Sequence, residues 1–199
     1  MKNKLNKIIV SALFVASSLV AQSTDASFYN SGYSLVAIEG GYSSLDVEKS
    51  GVAIPTTIQK YDMYSGGLKI GAQGENYRLF LSARYYGADD FDYAATYGVE
   101  AQYLFNFSQL ANFYIGVNGG IISMRYLPDS YGAVTRTLND PYIGGDLGFN
   151  IHLGESVDLE LGTRFLSLSA SNSQTDRPTY VFDNMITAYA SVIFKFKMD

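Results

Sequence analysis

The chain has 199 residues, of which 47% are apolar and only 17% are charged, and its formal net charge is −5. Soluble domains carry about 25% charged residues, so this composition is unusual for a soluble protein. The acidic balance disfavours nucleic-acid binding, and the absence of cysteine excludes disulfides, thiolate metal sites and a cysteine-linked lipid anchor.

The N-terminus has the pattern of a cleaved secretory signal. Three lysines precede an apolar run at residues 8–21, and small or polar residues follow. The run is shorter than the roughly 20 residues that a membrane-spanning helix needs. We expect cleavage after Ala26, with Ala21 as the alternative, so that residues 1–26 form the signal and residues 27–199 form one domain. Cleavage there removes three lysines and one aspartate, which changes the formal charge from −5 to −7.

Eight segments with a period of two residues follow in the mature chain. Each is close to the length of a tilted strand that crosses a membrane. The predicted strands are 33–44, 61–73, 77–86, 94–107, 113–126, 140–153, 157–169 and 185–196.

The connections between these segments alternate in length. Three of them, 74–76, 108–112 and 154–156, are tight turns, whereas the other four are longer and polar. The longer ones are 45–60, 87–93, 127–139 and 170–184, and one of them contains the acidic run "ADDFDY". Short turns at one end and long loops at the other are typical of outer-membrane barrels.

The segment "VDLELGTRFLSLS", residues 157–169, raises the question of which side of the sheet meets water. Its apolar and charged side chains alternate, and this pattern fits both a soluble sheet and a membrane barrel with the charges inside. One face of all eight segments is apolar. The opposite face carries five acidic and five basic residues: Glu39, Glu100, Asp146, Asp158, Glu160, Lys69, Arg78, Arg84, Arg164 and Lys195.

Equal numbers of acids and bases are expected on an enclosed face, where each ion needs a counter-ion. We therefore predict a lumen filled by a charge network. Within it we expect Arg164 to pair with Glu160 or Asp158, with Arg78 and Lys195 close by. His152 lies on the same face, and we expect it to be hydrogen-bonded to Asp146 or Asp158.

Aromatic residues of the apolar face cluster at the strand ends, which predicts belts at two membrane interfaces. The belt at the long-loop end comprises Tyr42, Tyr64, Tyr85, Tyr97 and Phe165. The belt at the short-turn end comprises Tyr77, Phe105, Phe107, Phe113, Phe194 and Phe196. A soluble barrel of the lipocalin type would place these rings in a ligand cavity, which gives no reason for two belts.

The mature chain resembles the small eight-stranded outer-membrane barrels of the OmpA membrane-domain, OmpX and opacity-adhesin type. The segment "YSLVAIEGGYSS" with inward Glu39, the alternating connections and the terminal Phe196 carry this resemblance. The last strand also resembles the C-terminal signature recognised by the barrel assembly machinery, although Lys197, Met198 and Asp199 follow the phenylalanine. The resemblance implies an all-β, closed, eight-stranded, antiparallel up-and-down transmembrane barrel in the outer membrane of a Gram-negative bacterium.

From this resemblance we expect a non-enzymatic protein with a structural or surface-interaction role through four extracellular loops. Its expected partners are outer-membrane lipid and lipopolysaccharide, the assembly machinery during biogenesis, and a host or cell-surface ligand at the loops. We expect a monomer without cofactors or metals. The first alternative is a narrow porin-like channel, which bulky lumen ions disfavour.

A second alternative is an enzyme that modifies lipids. Such chemistry requires a nucleophile and a general base within hydrogen-bond reach. The single histidine, His152, has no adjacent serine and lies near a short turn, away from the outer leaflet. We therefore interpret His152 as a lumen side chain.

Overall fold

The computed structural model describes residues 32–51, 54–87, 91–126, 136–172 and 179–198. The predicted signal at residues 1–26 lies outside these ranges. Among the described residues, none belongs to a helix long and apolar enough to cross a membrane. The described strands are β1 (Tyr33–Gly51), β2 (Ile54–Gln73), β3 (Tyr77–Gly87), β4 (Phe91–Asn106), β5 (Ala111–Tyr126), β6 (Arg136–His152), β7 (Val157–Asn172) and β8 (Thr179–Lys197).

The eight strands form one closed antiparallel barrel in chain order, from β1 to β8. The barrel closes where β1 meets β8, with Val36 paired to Phe194 on one side and to Ile70 of β2 on the other. Closure gives every strand two neighbours and leaves no free sheet edge in the closed region. The predicted fold class is therefore confirmed.

Three tight turns define one end of the barrel, which we call the short-turn end. They occupy residues 74–76, 107–110 and 153–156. The backbone N–H of Gly74 donates to the carbonyl of Tyr77 at 2.9 Å, and that of Leu153 donates to Val157 at 3.0 Å. These positions agree with the predicted turns to within two residues: β4 ends at Asn106 and β6 at His152, each one residue early, and β5 already begins at Ala111.

The prediction of four long loops is wrong over much of their length. The described parts of 45–60, 87–93, 127–139 and 170–184 are strand, and the remaining residues lie outside the described ranges. The β1–β2 ladder, for example, continues from the pair Tyr42–Tyr64 to the pair Gly51–Ile54. The barrel wall therefore rises well beyond the predicted strand ends.

We call the wall between the short turns and the Tyr42–Tyr64 pair the basal part, and the wall beyond it the distal part. In the described ladders of the distal part, β3 follows β2 only to the pair Tyr64–Gly87, and β7 follows β6 only to Tyr142–Leu168. Pro141 comes directly before Tyr142, and proline lacks the N–H that a further ladder bond would need. Within the described residues, the β2–β3 and β6–β7 ladders therefore end earlier than the other ladders of the distal part.

Among the described residues, only the basal part buries a network of charged side chains, and it does so beside a small apolar cluster of Leu35, Ala37, Phe80 and Ile193. In the basal part, outward residues such as Ile38 and Leu68 are more than half exposed, whereas Lys69 is buried. In the distal part, inward residues such as Leu45 are buried, and the outward neighbour Asp46 is partly exposed. The distal core is an apolar cluster of Leu45, Val47, Met63, Tyr86, Ala94, Ile122, Met124, Leu138, Tyr142, Leu166, Leu168, Phe182 and Met185.

Candidate functional site

The charged residues of "VDLELGTRFLSLS" lie inside the barrel. Asp158, Glu160 and Arg164 are fully buried, whereas Leu161 and Phe165 on the opposite face are 43% and 45% exposed. An alternating strand shows only one face to the interior, so the buried charges fix the side on which every neighbouring residue lies. The candidate site is therefore the barrel interior.

Glu39 is the centre of the first group of ion pairs. Arg164 donates to both of its carboxylate oxygens, at 2.8 and 3.0 Å, and Arg84 Nε donates to it at 2.7 Å. Lys69 Nζ lies 3.3 Å from Glu39 Oε2. Arg84 also donates to Glu100. Strands β1, β2, β3, β4 and β7 are thereby joined across the lumen.

A second group lies closer to the short-turn end. Glu160 accepts from Lys69 at 2.6 Å and from Arg78 at 3.2 Å. Asp158 accepts from Lys195 at 2.7 Å and lies 3.3 Å from Arg78. Lys69 and Arg78 thus connect the two acids of β7 with β2 and β3, and Lys69 also links this group to Glu39.

The prediction that Arg164 pairs with Glu160 or Asp158 is wrong. Arg164 reaches across the lumen to Glu39 on β1, and its Nη2 lies 3.7 Å from Glu100 Oε2. Glu160 and Asp158, two of its neighbours along β7, instead pair with lysine and arginine from other strands. Only β8 separates β7 from β1, so the long guanidinium side chain of Arg164 reaches the inward carboxylate of Glu39 past one strand.

Asp146 differs from the other four acids because its direct partners are amides. Gln102 Nε2 donates to one carboxylate oxygen at 2.9 Å and Asn118 Nδ2 donates to the other at 3.1 Å. Among the described residues, no lysine or arginine nitrogen forms a salt bridge with Asp146. Its cross-strand neighbour, Arg164, is directed toward Glu39.

Several polar residues of the interior were not predicted. Gln102 and Asn112 are buried in the interior, and the hydroxyl groups of Tyr114 and Tyr189 form a hydrogen bond of 2.7 Å. The guanidinium of Arg164 lies 4.3 Å from the Tyr189 ring centre, a cation–π arrangement. Their inward position in the two-residue period was the available signal, but a search restricted to charges overlooks them.

His152 lies at the short-turn end, as expected, and bonds to Asp158. Its Nδ1 is 2.7 Å from Asp158 Oδ1, and its Nε2 is 3.4 Å from Asn112 Nδ2. His152 and Lys195 line an open bowl of about 450 Å³ at this end of the barrel. Among the described residues, no serine side chain forms a hydrogen bond with the His152 ring. The described residues also contain no cluster of three acidic, histidine or cysteine side chains suited to a metal.

The predicted belt aromatics lie on the outer surface. At the long-loop end, the Tyr42 and Tyr64 rings pack edge to face with centroids 5.5 Å apart. At the short-turn end, a row of aromatic contacts crosses β3 to β6. It runs through Tyr77, Tyr103, Phe105, Phe113 and Phe149. The other predicted members, Tyr85, Tyr97, Phe107, Phe165, Phe194 and Phe196, are also exposed.

Comparison with known proteins places this geometry in a structural class. No protein-family model and no curated protein sequence matches the chain. The structure of Neisserial surface protein A aligns with a TM-score of 0.55 and 16% identity, over 80% of this chain and 99% of that one. The outer membrane protein OprG from Pseudomonas aeruginosa aligns with a TM-score of 0.54 and 12% identity, over 85% of this chain and 99% of that one.

The chain has the fold of the small eight-stranded outer-membrane barrels. At these identities the similarity concerns the fold alone. The interior of this barrel contains two groups of ion pairs in the basal part and the apolar cluster in the distal part. These side chains can hold the eight strands together and can fill the lumen.

Proposed function

We propose that the protein is a closed, non-conducting barrel of the outer membrane that holds a strand-built surface structure outside the lipid. The observation that carries this proposal is the filled interior. Ten charged side chains occupy the basal lumen, and thirteen buried residues form the apolar cluster of the distal part. An eight-stranded barrel has just enough room inside for its own side chains.

The outer surface supports a membrane location for the basal part. Its outward residues are apolar, and aromatic rings lie at both ends of this apolar zone. Such a surface fits a lipid environment, because soluble monomers rarely expose large continuous apolar patches. We accordingly propose outer-membrane lipid and lipopolysaccharide as the neighbours of the barrel wall, and the assembly machinery as a partner during biogenesis.

The distal part supports the surface-interaction role. Its wall continues as paired strands with an apolar core and polar outward residues such as Asp46, Lys60 and Asp62. This arrangement is that of a water-soluble β structure, with one face packed on a core and the other facing water. We propose that a host or cell-surface ligand binds to this strand-built rim, on a monomeric barrel.

The filled interior disfavours the narrow channel. A solute crossing the barrel would have to pass the apolar cluster and then separate ion pairs that span the lumen, such as Arg164–Glu39 and Lys69–Glu160. Breaking a buried pair leaves an uncompensated charge, which costs about 3 to 5 kcal/mol. The bonds of His152 to Asp158 and Asn112 likewise support a structural role for the only histidine.

Conductance measurements test the proposal. The mature chain is folded into planar lipid bilayers beside a known general porin, and single-channel current is recorded in potassium chloride. We expect no steady open level for this barrel. A stable conducting level in the unmodified protein would contradict a filled lumen.

A separate experiment tests the membrane location. The membrane fraction is run on a denaturing gel with and without boiling, because a closed membrane barrel resists detergent until it is heated. We expect two different migration positions. A single position, with the protein in the soluble fraction, would argue for a soluble barrel.

A further inference from the structure

The equal count of acids and bases in the lumen conceals an uneven distribution of charge. Glu39 contacts three cationic side chains, and Asp158 contacts Arg78, Lys195 and the His152 ring. Asp146 is 3% exposed and, among the described residues, has no cationic side chain within salt-bridge distance. One negative charge on the β4–β5–β6 side of the lumen is therefore not directly compensated.

Three oxygen atoms beside Asp146 also lack hydrogen-bond donors. They are Glu100 Oε2, Gln102 Oε1 and Asn118 Oδ1, and all three belong to residues that are at least 96% buried. The amides of Gln102 and Asn118 donate to Asp146 through their nitrogens, which leaves their oxygens available. Buried acceptors without a donor are rare and each requires a partner, either water or an ion.

The strand register places these oxygens in one patch of the inner wall. Glu100 pairs with Asn118, and Gly116 lies between Gln102 and Asp146. A Cβ atom on Gly116 would lie 2.9 Å from Asp146 Oδ1. A Cβ on Gly144 would likewise lie 2.8 Å from Asn118 Oδ1. The absence of a side chain at these two glycines thus lets Asp146 Oδ1 and Asn118 Oδ1 lie directly against the backbone of β5 and β6.

From this arrangement we propose that the patch binds one small monovalent cation, of the alkali or ammonium class, with Asp146 as its counter-ion. Carboxylate and amide oxygens are the ligands that hard cations prefer. A single positive charge matches the single uncompensated carboxylate. A divalent ion would place additional charge beside Arg164, whose Nη2 is 3.7 Å from Glu100 Oε2. The cation binds to the inner wall of β4, β5 and β6, and its binding does not depend on any ligand at the outer rim.

The direct test is anomalous scattering from rubidium. The mature full-length barrel is crystallised from detergent with rubidium chloride as the only monovalent salt. We expect an anomalous peak in contact with Asp146 and with at least one of the three free oxygen atoms. Ordinary water density at the patch, without anomalous signal, would overturn the proposal, and so would a protonated Asp146 hydrogen-bonded to one of these oxygens.

A solution measurement examines the same site in wild-type and variant barrels. Unfolding is followed while N-methylglucamine chloride, whose cation is too large for the patch, is replaced by rubidium chloride at constant ionic strength. Well above the dissociation constant, each tenfold rise in the free rubidium concentration should increase the folding equilibrium constant about tenfold in the wild type. Asp146→Asn should abolish this dependence, whereas the control Asp183→Asn, at an exposed position on β8, should retain it.

A third variant covers the case in which Asp146→Asn does not fold. Gln102→Met keeps the length of the side chain but removes one of the free oxygens, and it should lower the occupancy of rubidium in crystals. Equal rubidium dependence in the wild type and in Asp146→Asn, or no dependence in the wild type, would overturn the cation site. Neither result would affect the conductance experiment.

Discussion

The basal and distal parts of the barrel use the same backbone and the same two-residue period, but within the described residues only the basal part combines a buried charge network with an apolar outer face. Along β2, inward Lys69 is buried in the basal part and outward Leu68 is 61% exposed. Further along the same strand, inward Met63 is buried, and outward Lys60 and Asp62 are exposed. The change occurs near the Tyr42–Tyr64 pair.

The difference shows that the period of a strand specifies its geometry, whereas the surroundings decide which residues can occupy each face. In lipid the outer face must be apolar, so the charges can only be inside, where they require partners. Above the lipid the outer face meets water, and the hydrophobic effect again favours an apolar interior. One continuous wall therefore has a membrane-type part and a soluble-type part.

The largest expected effect comes from removing the basal cation that spans the lumen. Arg164→Ala leaves Glu39 without two hydrogen bonds and leaves Glu100 with Arg84 alone among its ion-pair partners in the described residues. We expect the free energy of unfolding to fall by about 3 to 5 kcal/mol, measured by urea unfolding in lipid vesicles. Lys60→Ala is the control, because its side chain is 73% exposed and lies 3.8 Å from Asp46. That change should cost at most about 1 kcal/mol, and similar losses in both variants would argue against a packed ion network.

The next effect concerns the apolar interior of the distal part. Leu45→Ala creates a cavity in the cluster and should lower the free energy of unfolding by about 2 to 5 kcal/mol. The matched change on the outer basal wall is Leu81→Ala, at a position that is 58% exposed. Lipid fills the space of the lost methyl groups, so we expect a loss below about 1 kcal/mol. If urea unfolding shows equal losses, the two interiors do not differ in packing as described.

Two lysine substitutions on one face of β2 compare the outer surroundings directly. Leu68 and Ile58 are 61% and 67% exposed, and both point outward. Leu68→Lys should cost about 2 to 4 kcal/mol in lipid vesicles, because it places a charge against hydrocarbon. Ile58→Lys should change the free energy of unfolding by no more than about 0.5 kcal/mol, because it faces water. Equal costs would place both residues in the same medium.

The smallest effect is expected at the short-turn end. His152→Ala removes one hydrogen bond from Asp158, which keeps Lys195 and Arg78. We expect a loss of about 0.5 to 1.5 kcal/mol in urea unfolding, the usual contribution of one hydrogen bond. A loss as large as that of Arg164→Ala would give His152 a central place in the network.

Much of the basal part could be predicted from the sequence. The inward positions of Glu39, Lys69 and Arg164 follow from alternation, and charge balance predicts an enclosed lumen. The pairing could not be predicted, because Arg164 and Glu39 are 125 residues apart and meet only after the barrel closes. Alternation gives the face of a residue but not the opposite side chain that it contacts.

The distal part was missed for a different reason. In segment 45–60, Leu45 and Val47 continue the inward period of Glu39, but acidic residues, serine, glycine and proline beside them resemble loop composition. In the described ladders, the part of β2 around Pro55 pairs with β1 on one side only. Pro141 lies where the β6–β7 ladder ends. Proline is compatible with such strand edges, so its presence did not require a loop.

Spin labelling at positions 58 and 68 tests the central claim most directly. The chain contains no cysteine, so Ile58→Cys and Leu68→Cys each provide a single attachment site for a nitroxide. In lipid vesicles, we predict that the label at 68 is relaxed more strongly by oxygen, which concentrates in lipid, and the label at 58 by a water-soluble nickel chelate. The same preference at both positions would contradict a wall that leaves the membrane near the Tyr42–Tyr64 pair.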